Sequence, residues 1–338
     1  METISQKILQ KFLYHQKLKQ ITNLVLNNKY IHQNKIYQFF QNKIIKKTTF
    51  LYKKKPYSLR IENTNFCNGQ CLMCPYPSMK RKKGIMSRQL FKKIINEAHK
   101  LEIGYINLHN FGEPLIDPDF IWKVKYAKSF NLKISTNTNG ILLTPKLSSQ
   151  IIKSKLDDLY ISVDAATVKT YRKIRIGLDF KRLDKNIKHL VKLKKQLKSS
   201  TPNIIVDFLK FDLNQHEVKK FINKWQNQVD HVCISQIHDW SSKKQININQ
   251  NFDNYVNFSQ TPCRLPFTEM LINWDGVVSL CCQDIENSLV LGDINKDSIQ
   301  KVWTNKKYKK IRQLHCQLKT NQIPICKNCK LRTFWWSF

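Results

Sequence analysis

At 338 residues and 41% hydrophobic content, the chain is long enough for one large core or two modest ones. It has no run near the ~20 uncharged apolar residues of a membrane span and no apolar leader before a small-residue cleavage site, so a cytoplasmic protein with no membrane partner is expected. A net charge of +34 ordinarily favours anionic partners, but the lysines spread along the whole chain among Asn and Ile, which fits compositional bias better than a nucleic-acid-binding patch.

Residues 1–55 carry twelve lysines and one acid, Glu2, with Ile8, Leu9, Phe12, Leu13, Leu18 and Ile21 at helical intervals. This predicts a basic helical N-terminal extension of one or two amphipathic helices, packed on the rest of the chain. From Pro56 onward strands alternate with helices. Strands are predicted at 58–62, 105–109, 133–137, 159–164, 204–211 and 231–236, and helices begin near Ser87, Pro118, Thr144, Thr167 and Asn214, with Ser87 and Asn214 as N-caps. Six such units need roughly six-eighths of the ~250 residues of a full barrel, close to the span 56–240. The expected fold is therefore α/β, an incomplete (β/α)6 barrel of parallel strands or an open sheet.

Residues 241–262 are polar and read as a linker. Residues 263–338 then form a small C-terminal domain of a β-hairpin plus helix. Its strands, 269–273 and 277–282, flank Trp274-Asp275-Gly276, where Asp-Gly suits a tight turn, and a helix runs from about 298 to 314.

Ten cysteines in a chain this long, with no export signal, favour metal or redox chemistry over a disulfide framework. Cys67-Asn-Gly-Gln-Cys71-Leu-Met-Cys74 places three thiols in one loop after the first strand. A 4Fe-4S cluster is ordinarily held by four cysteines, so three leave one iron open for a ligand; structural zinc would need a fourth protein ligand. Cys263, Cys281, Cys326 and Cys329 form a second group, able to hold zinc or a second 4Fe-4S cluster. Cys233, Cys282 and Cys316 are expected to be core thiols, with replacement of a ligand in the second group as the alternative for Cys282 and Cys316.

The C-x3-C-x2-C loop resembles the radical S-adenosylmethionine superfamily, and further residues agree in order from about residue 57 to 338. Phe111-Gly112-Glu113-Pro114 is similar to the family's G-G-E motif, with Phe in place of the first Gly. The resemblance implies that Gly112 and Glu113 meet the cofactor's amino group, that Ser135 and Asn137 approach its ribose, and that Ser162 and Arg175 contact ribose or carboxylate. The bland alternatives are that Glu113 caps a helix, Asn137 shapes a turn and Arg175 forms a surface pair. The resemblance further implies that the open iron chelates S-adenosylmethionine, whose reductive cleavage gives a 5′-deoxyadenosyl radical that abstracts hydrogen from an unactivated carbon. His238 and Asp239, just after the sixth strand, are substrate-site candidates, with a linker or capping role as the alternative.

The C-terminal segment resembles the twitch domain, the shortened relative of the SPASM domain, which implies one auxiliary cluster on Cys263, Cys281, Cys326 and Cys329. Twitch relatives include 2-deoxy-scyllo-inosamine dehydrogenase, so the expected reaction is dehydrogenation of a small metabolite with the auxiliary cluster as electron acceptor. The alternatives are modification of a peptide or protein substrate, as in many SPASM relatives, and a zinc-stabilised nucleic-acid-binding protein. The electron donor is expected to be a low-potential acidic protein, a flavodoxin or ferredoxin, matched to the chain's positive charge.

Overall fold

The computed structural model describes residues 52–236, 262–327 and 329. Short apolar runs form six strands: β1 (Ser58–Ile61), β2 (Tyr105–Asn107), β3 (Lys133–Thr138), β4 (Asp158–Ser162), β5 (Asn203–Lys210) and β6 (His231–Gln236). They lie side by side in the order β6-β5-β4-β3-β2-β1, every neighbouring pair parallel, as the alternation of strands and helices predicts.

Successive side chains on a strand point to opposite faces, and the register aligns them across the sheet. One face carries Leu59, Ile61, Ile106, Ile134, Leu159, Ile161, Val206 and Phe208, all buried in the main core. Helices α1 (Arg88–Lys100), α2 (Phe120–Lys128), α3 (Pro145–Lys153), α4 (Val168–Ile174), α5 (Phe180–Gln196) and α6 (Val218–Trp225) contribute their buried apolar residues to the same core. The opposite face is polar. Arg60 pairs in register with Asn107 and Asn107 with Ser135, while Asn137 faces Tyr160, Ser162 faces Asp207 and Asp207 faces Cys233.

Ser87, Thr144 and Thr167 each accept a bond from the first turn of the helix that follows, at 3.1, 3.3 and 3.3 Å. Asn214 stands at the expected N-cap position, before the turn Gln215–Glu217, but its side chain makes no capping bond: its amide bonds Phe211 N, Asp164 O and Leu209 O, bracing the loop after β5. The helical stretch after Thr167 divides in two. α4 ends at Arg175, and α5 starts afresh because Asp179 accepts from Lys181 N and Arg182 N.

The hairpin forms from β7 (Glu269–Ile272) and β8 (Val277–Ser279), with Gly276 at φ 90° in the turn. A third strand, β9 (Val290–Asp293), joins β8 antiparallel. β7 pairs parallel with β1, from Ser58 opposite Glu269 to Ile61 opposite Ile272, so the C-terminal strands extend the barrel sheet to nine. The short α7 (Leu265–Thr268) precedes β7. The helix expected over 298–314 is two, α8 (Ile299–Trp303) and α9 (Lys306–Cys316), because Asn305 caps the second by accepting from Tyr308 N at 2.9 Å. α10 (Pro324–Lys327) carries Cys326.

Among the described residues no helix is long and apolar enough to cross a membrane. Most of the expected N-terminal extension, most of the linker and both substrate-site candidates, His238 and Asp239, lie outside the described residues.

Candidate active site

The cysteine loop leaves β1 at the end where parallel barrels carry their reactive groups. Two backbone bonds pin it to the end of α4, Gln70 N to Ile176 O at 2.9 Å and Leu72 N to Ile174 O at 2.8 Å. Cys74 N closes a turn on Cys71 O at 3.0 Å, and Cys67 N donates to Tyr76 Oη at 2.9 Å. Tyr76, Met79, Phe111 and Ile285 form a small apolar cluster against which Cys67 and Cys74 pack, so the Phe in the Gly position of the motif packs against the cysteine loop. Burial pushes the Cys67 thiol up to about 12, with Glu113, Cys71 and Cys74 adding to the effect. A Cys67 thiol held this way needs a cation beside it to ionise, which is the condition a bound cluster satisfies.

Gly112 adopts φ 89°, and a Cβ there would lie 2.7 Å from Phe66 O and 2.8 Å from Thr64 O. Only glycine allows this approach, which brings Glu113 N to Phe66 O at 2.7 Å. The Glu113 carboxylate is buried, and burial raises its pKa. Its Oε1 accepts from Thr138 Oγ1 at 2.6 Å and Leu115 N at 3.1 Å, and its Oε2 from Asn139 N at 2.7 Å. Asn139 Nδ2 in turn donates to Asn68 Oδ1 at 2.7 Å. Glu113 therefore caps the short turn Pro114–Ile116, and also clasps the loops after β2 and β3 to the cysteine loop.

Ser135 is buried on the polar face, its Oγ 2.8 Å from Tyr105 Oη and 2.9 Å from Asn107 Nδ2. The Asn107 amide also reaches Asn137 Oδ1 at 3.3 Å. Asn107 Oδ1 and Arg175 Nε are buried with no hydrogen-bond partner among the described residues, polar atoms such as a bound cofactor or substrate would satisfy. Ser162 stands half-buried on the same face. Arg175 pairs with Asp164, and its Nη1 lies 3.5 Å from Cys71 Sγ, so it is neither a surface pair nor remote from the thiols.

His109, just beyond β2, was invisible to motif reasoning. Burial, then Arg60 and Arg175, push its pKa down to about 3, which keeps the ring neutral. Arg60 Nε meets Glu269 Oε1 at 2.9 Å, so the C-terminal hairpin supplies one residue of this wall.

Cys263, Cys281, Cys326 and Cys329 line one cavity, walled by Leu280 and Ile325. Burial raises the Cys281 thiol, reinforced by Cys282 and the other three. Buried His315 accepts from Cys263 N at 3.1 Å and lies 3.8 Å from Cys326 Sγ through its other nitrogen, a neighbour that no sequence spacing announces. Four thiols around one space, Cys326 and Cys329 buried and Cys263 and Cys281 half-buried, fit a cluster. Among the described residues no three His, Cys, Asp or Glu side chains close on a single-ion site.

The expectation of core thiols elsewhere needs correction. Cys316 is exposed, because it falls on the outer side of the last turn of α9, and Cys233 is half-buried, because its register with Asp207 puts it on the polar face. Cys282 is half-buried near Arg60, Glu269 and Cys329.

Comparison with known proteins agrees with these features. Residues 61–221 match the radical SAM superfamily, and residues 263–330 match SPASM, an iron-sulfur cluster-binding domain. The tungsten-containing aldehyde ferredoxin oxidoreductase cofactor-modifying protein of Pyrococcus furiosus is 25% identical over 317 residues, 81% of this chain and 87% of that protein. The structure of BtrN in complex with AdoMet and 2-DOIA superposes with a TM-score of 0.57 at 17% identity, covering 82% of this chain and 94% of BtrN. Streptococcus suis SuiB bound to precursor peptide SuiA superposes with a TM-score of 0.65 at 14% identity, covering 85% and 74%. At these identities the two structures show a shared fold.

Proposed function

The chain belongs to the radical SAM superfamily and carries an SPASM-type iron-sulfur domain, and from that premise we propose that it uses radical chemistry to modify a peptide or protein substrate. Members of the superfamily cleave S-adenosylmethionine reductively and abstract hydrogen from a substrate, with an auxiliary iron-sulfur cluster where the C-terminal domain is present. Cys67, Cys71 and Cys74 would hold the cluster that supplies the radical chemistry, and Cys263, Cys281, Cys326 and Cys329 would hold the second.

The chain's own residues shape what happens beside them. The Glu113 clasp fixes the three loops around the cofactor, where Gly112, Ser135, Asn137 and Ser162 line its approach. Arg175 places a cation against Cys71, and neutral His109 adds a polar ring without a charge.

The observation that carries the peptide reading is the open strand order. Among the described residues the sheet ends at β6 instead of returning to β1. An extended substrate chain would lie along that edge to reach the polar face bearing Arg60, Asn107, Ser135 and Ser162. Likeness in fold to SuiB, solved with a precursor peptide, supports the same reading.

A second reading, oxidation of a small metabolite, is supported by BtrN, solved with 2-DOIA, of which this chain covers 94%. There an alcohol carbon radical would lose one further electron and a proton to become a ketone, and the cluster at Cys263, Cys281, Cys326 and Cys329 would take the electron.

The test is fractionation of host extract. The protein-and-peptide fraction should stimulate 5′-deoxyadenosine formation, and protease treatment should abolish the effect. Stimulation confined to a protease-resistant small-molecule fraction would replace the first reading by the second.

A further inference from the structure

The segment immediately beyond Cys74 carries four consecutive cations, Lys80-Arg81-Lys82-Lys83. Arg81 is turned inward: its guanidinium pairs with buried Glu62, and its Nε donates to Ile285 O at 2.7 Å. Lys80, Lys82 and Lys83 are exposed, and among the described residues none of the three pairs with a carboxylate. The nearby acid, Glu286, accepts instead from the backbone of Lys80 and Arg81 at 3.0 and 3.1 Å.

The loop is held in shape from below. Lys82 O accepts from Asn65 Nδ2 at 3.0 Å and from Trp274 Nε1, on the C-terminal hairpin, at 3.2 Å. A Cβ at Gly84 would lie 2.4 Å from the Trp274 ring, so indole and loop backbone are in direct contact. The charges are thus displayed on a fixed frame, with little ordering to be done on binding.

The frame also leads straight to the radical-site thiols. Lys83 Nζ lies 4.5 Å from the centre of the Tyr76 ring, and Tyr76 Oη accepts from Cys67 N. One aromatic residue separates the cationic surface from a cluster-holding cysteine.

We propose that the loop of residues 80–83 is the docking face for the acidic one-electron donor protein that reduces the radical site. One electron leaves the reduced donor, which is oxidised, and enters the site held by Cys67, Cys71 and Cys74, which is reduced; no bond forms or breaks at the interface. Clustered, exposed cations raise the encounter rate with an acidic partner and orient it. The inference rests on the family's need for an electron and is independent of the substrate class.

The experiment compares wild type with K80E/K82E/K83E and with K192E/K195E/K198E, an equal change in net charge at exposed lysines of α5 and the turn after it. The dissociation constants of oxidised flavodoxin and ferredoxin are measured at low and high salt, together with 5′-deoxyadenosine formation driven by each reduced protein and by dithionite. The loop variant should bind both donors at least about tenfold more weakly at low salt and lose their drive in proportion, while its dithionite rate stays within about twofold of wild type. The α5 variant should behave as wild type. The proposal is overturned if wild type binds neither donor, if the loop variant binds both normally, or if both variants lose binding equally. A parallel fall in the dithionite rate would assign the loop to the cofactor or to an acidic substrate, and would also overturn it.

Discussion

Arg175 Nη1 stands 3.5 Å from Cys71 Sγ while the same guanidinium pairs with Asp164. A cation at this distance favours the more negative, reduced state of whatever Cys71 ligates. Arg175→Met, combined with Asp164→Asn so that no buried carboxylate is stranded, should shift the radical cluster to a more negative potential. EPR-monitored redox titration checks this, and an unshifted potential would reduce Arg175 to a packing role.

Gly112→Ala should be disabling. The added methyl would press on the backbone oxygens of Phe66 and Thr64 at a residue with φ 89°, a cost of about 1–3 kcal/mol before any repacking. Urea denaturation should show the loss, and cofactor affinity should fall with it because Glu113 is displaced. An alanine variant of normal stability and affinity would mean that the loop tolerates another path.

Glu113→Ala should weaken S-adenosylmethionine binding by roughly tenfold through the lost bonds to Thr138 and Asn139. The ultraviolet-visible cluster spectrum should stay near normal, since Glu113 holds loops and not iron. Equilibrium binding decides it: unchanged affinity would leave Glu113 as a cap of residues 114–116 alone.

His109 makes the fold acid-sensitive. Its ring is held near pKa 3, below the 6.5 of an unfolded histidine, so only the unfolded chain gains a proton between those values. This contribution to stability is complete above pH 6.5 and is lost as pH falls toward 3, by up to about 1.4 kcal/mol per pH unit. His109→Gln should flatten the dependence of the urea midpoint on pH between 7 and 5. Identical slopes in both proteins would place the acid sensitivity elsewhere.

Local patterns made much of this legible. Apolar runs marked the six parallel strands, Ser87 marked its cap and Thr144 and Thr167 the starts of their helices, and Asp275-Gly276 marked the hairpin. Long-range pairing leaves no such mark: nothing near residue 269 announces that β7 runs beside β1, or that Trp274 covers the loop at Gly84. Lys123 is equally silent in a lysine-rich chain, yet it is fully buried, 2.6 Å from both Asp117 Oδ2 and Met86 O. The cysteine spacing identified the two thiol groups, but nothing in it announces His315, which the fold sets against Cys263 and Cys326, or the buried His109 beside Arg60 and Arg175.

The central claim is that Cys67, Cys71 and Cys74 hold the cluster that cleaves S-adenosylmethionine, and that the other four thiols hold a second. Its most direct test is iron content beside cleavage activity in anaerobically reconstituted protein. Wild type should carry about eight irons, four per cluster, and the variant with all three of these cysteines replaced by alanine should keep about four and form no 5′-deoxyadenosine. Zinc in place of iron, or cleavage surviving in the triple variant, would contradict the account.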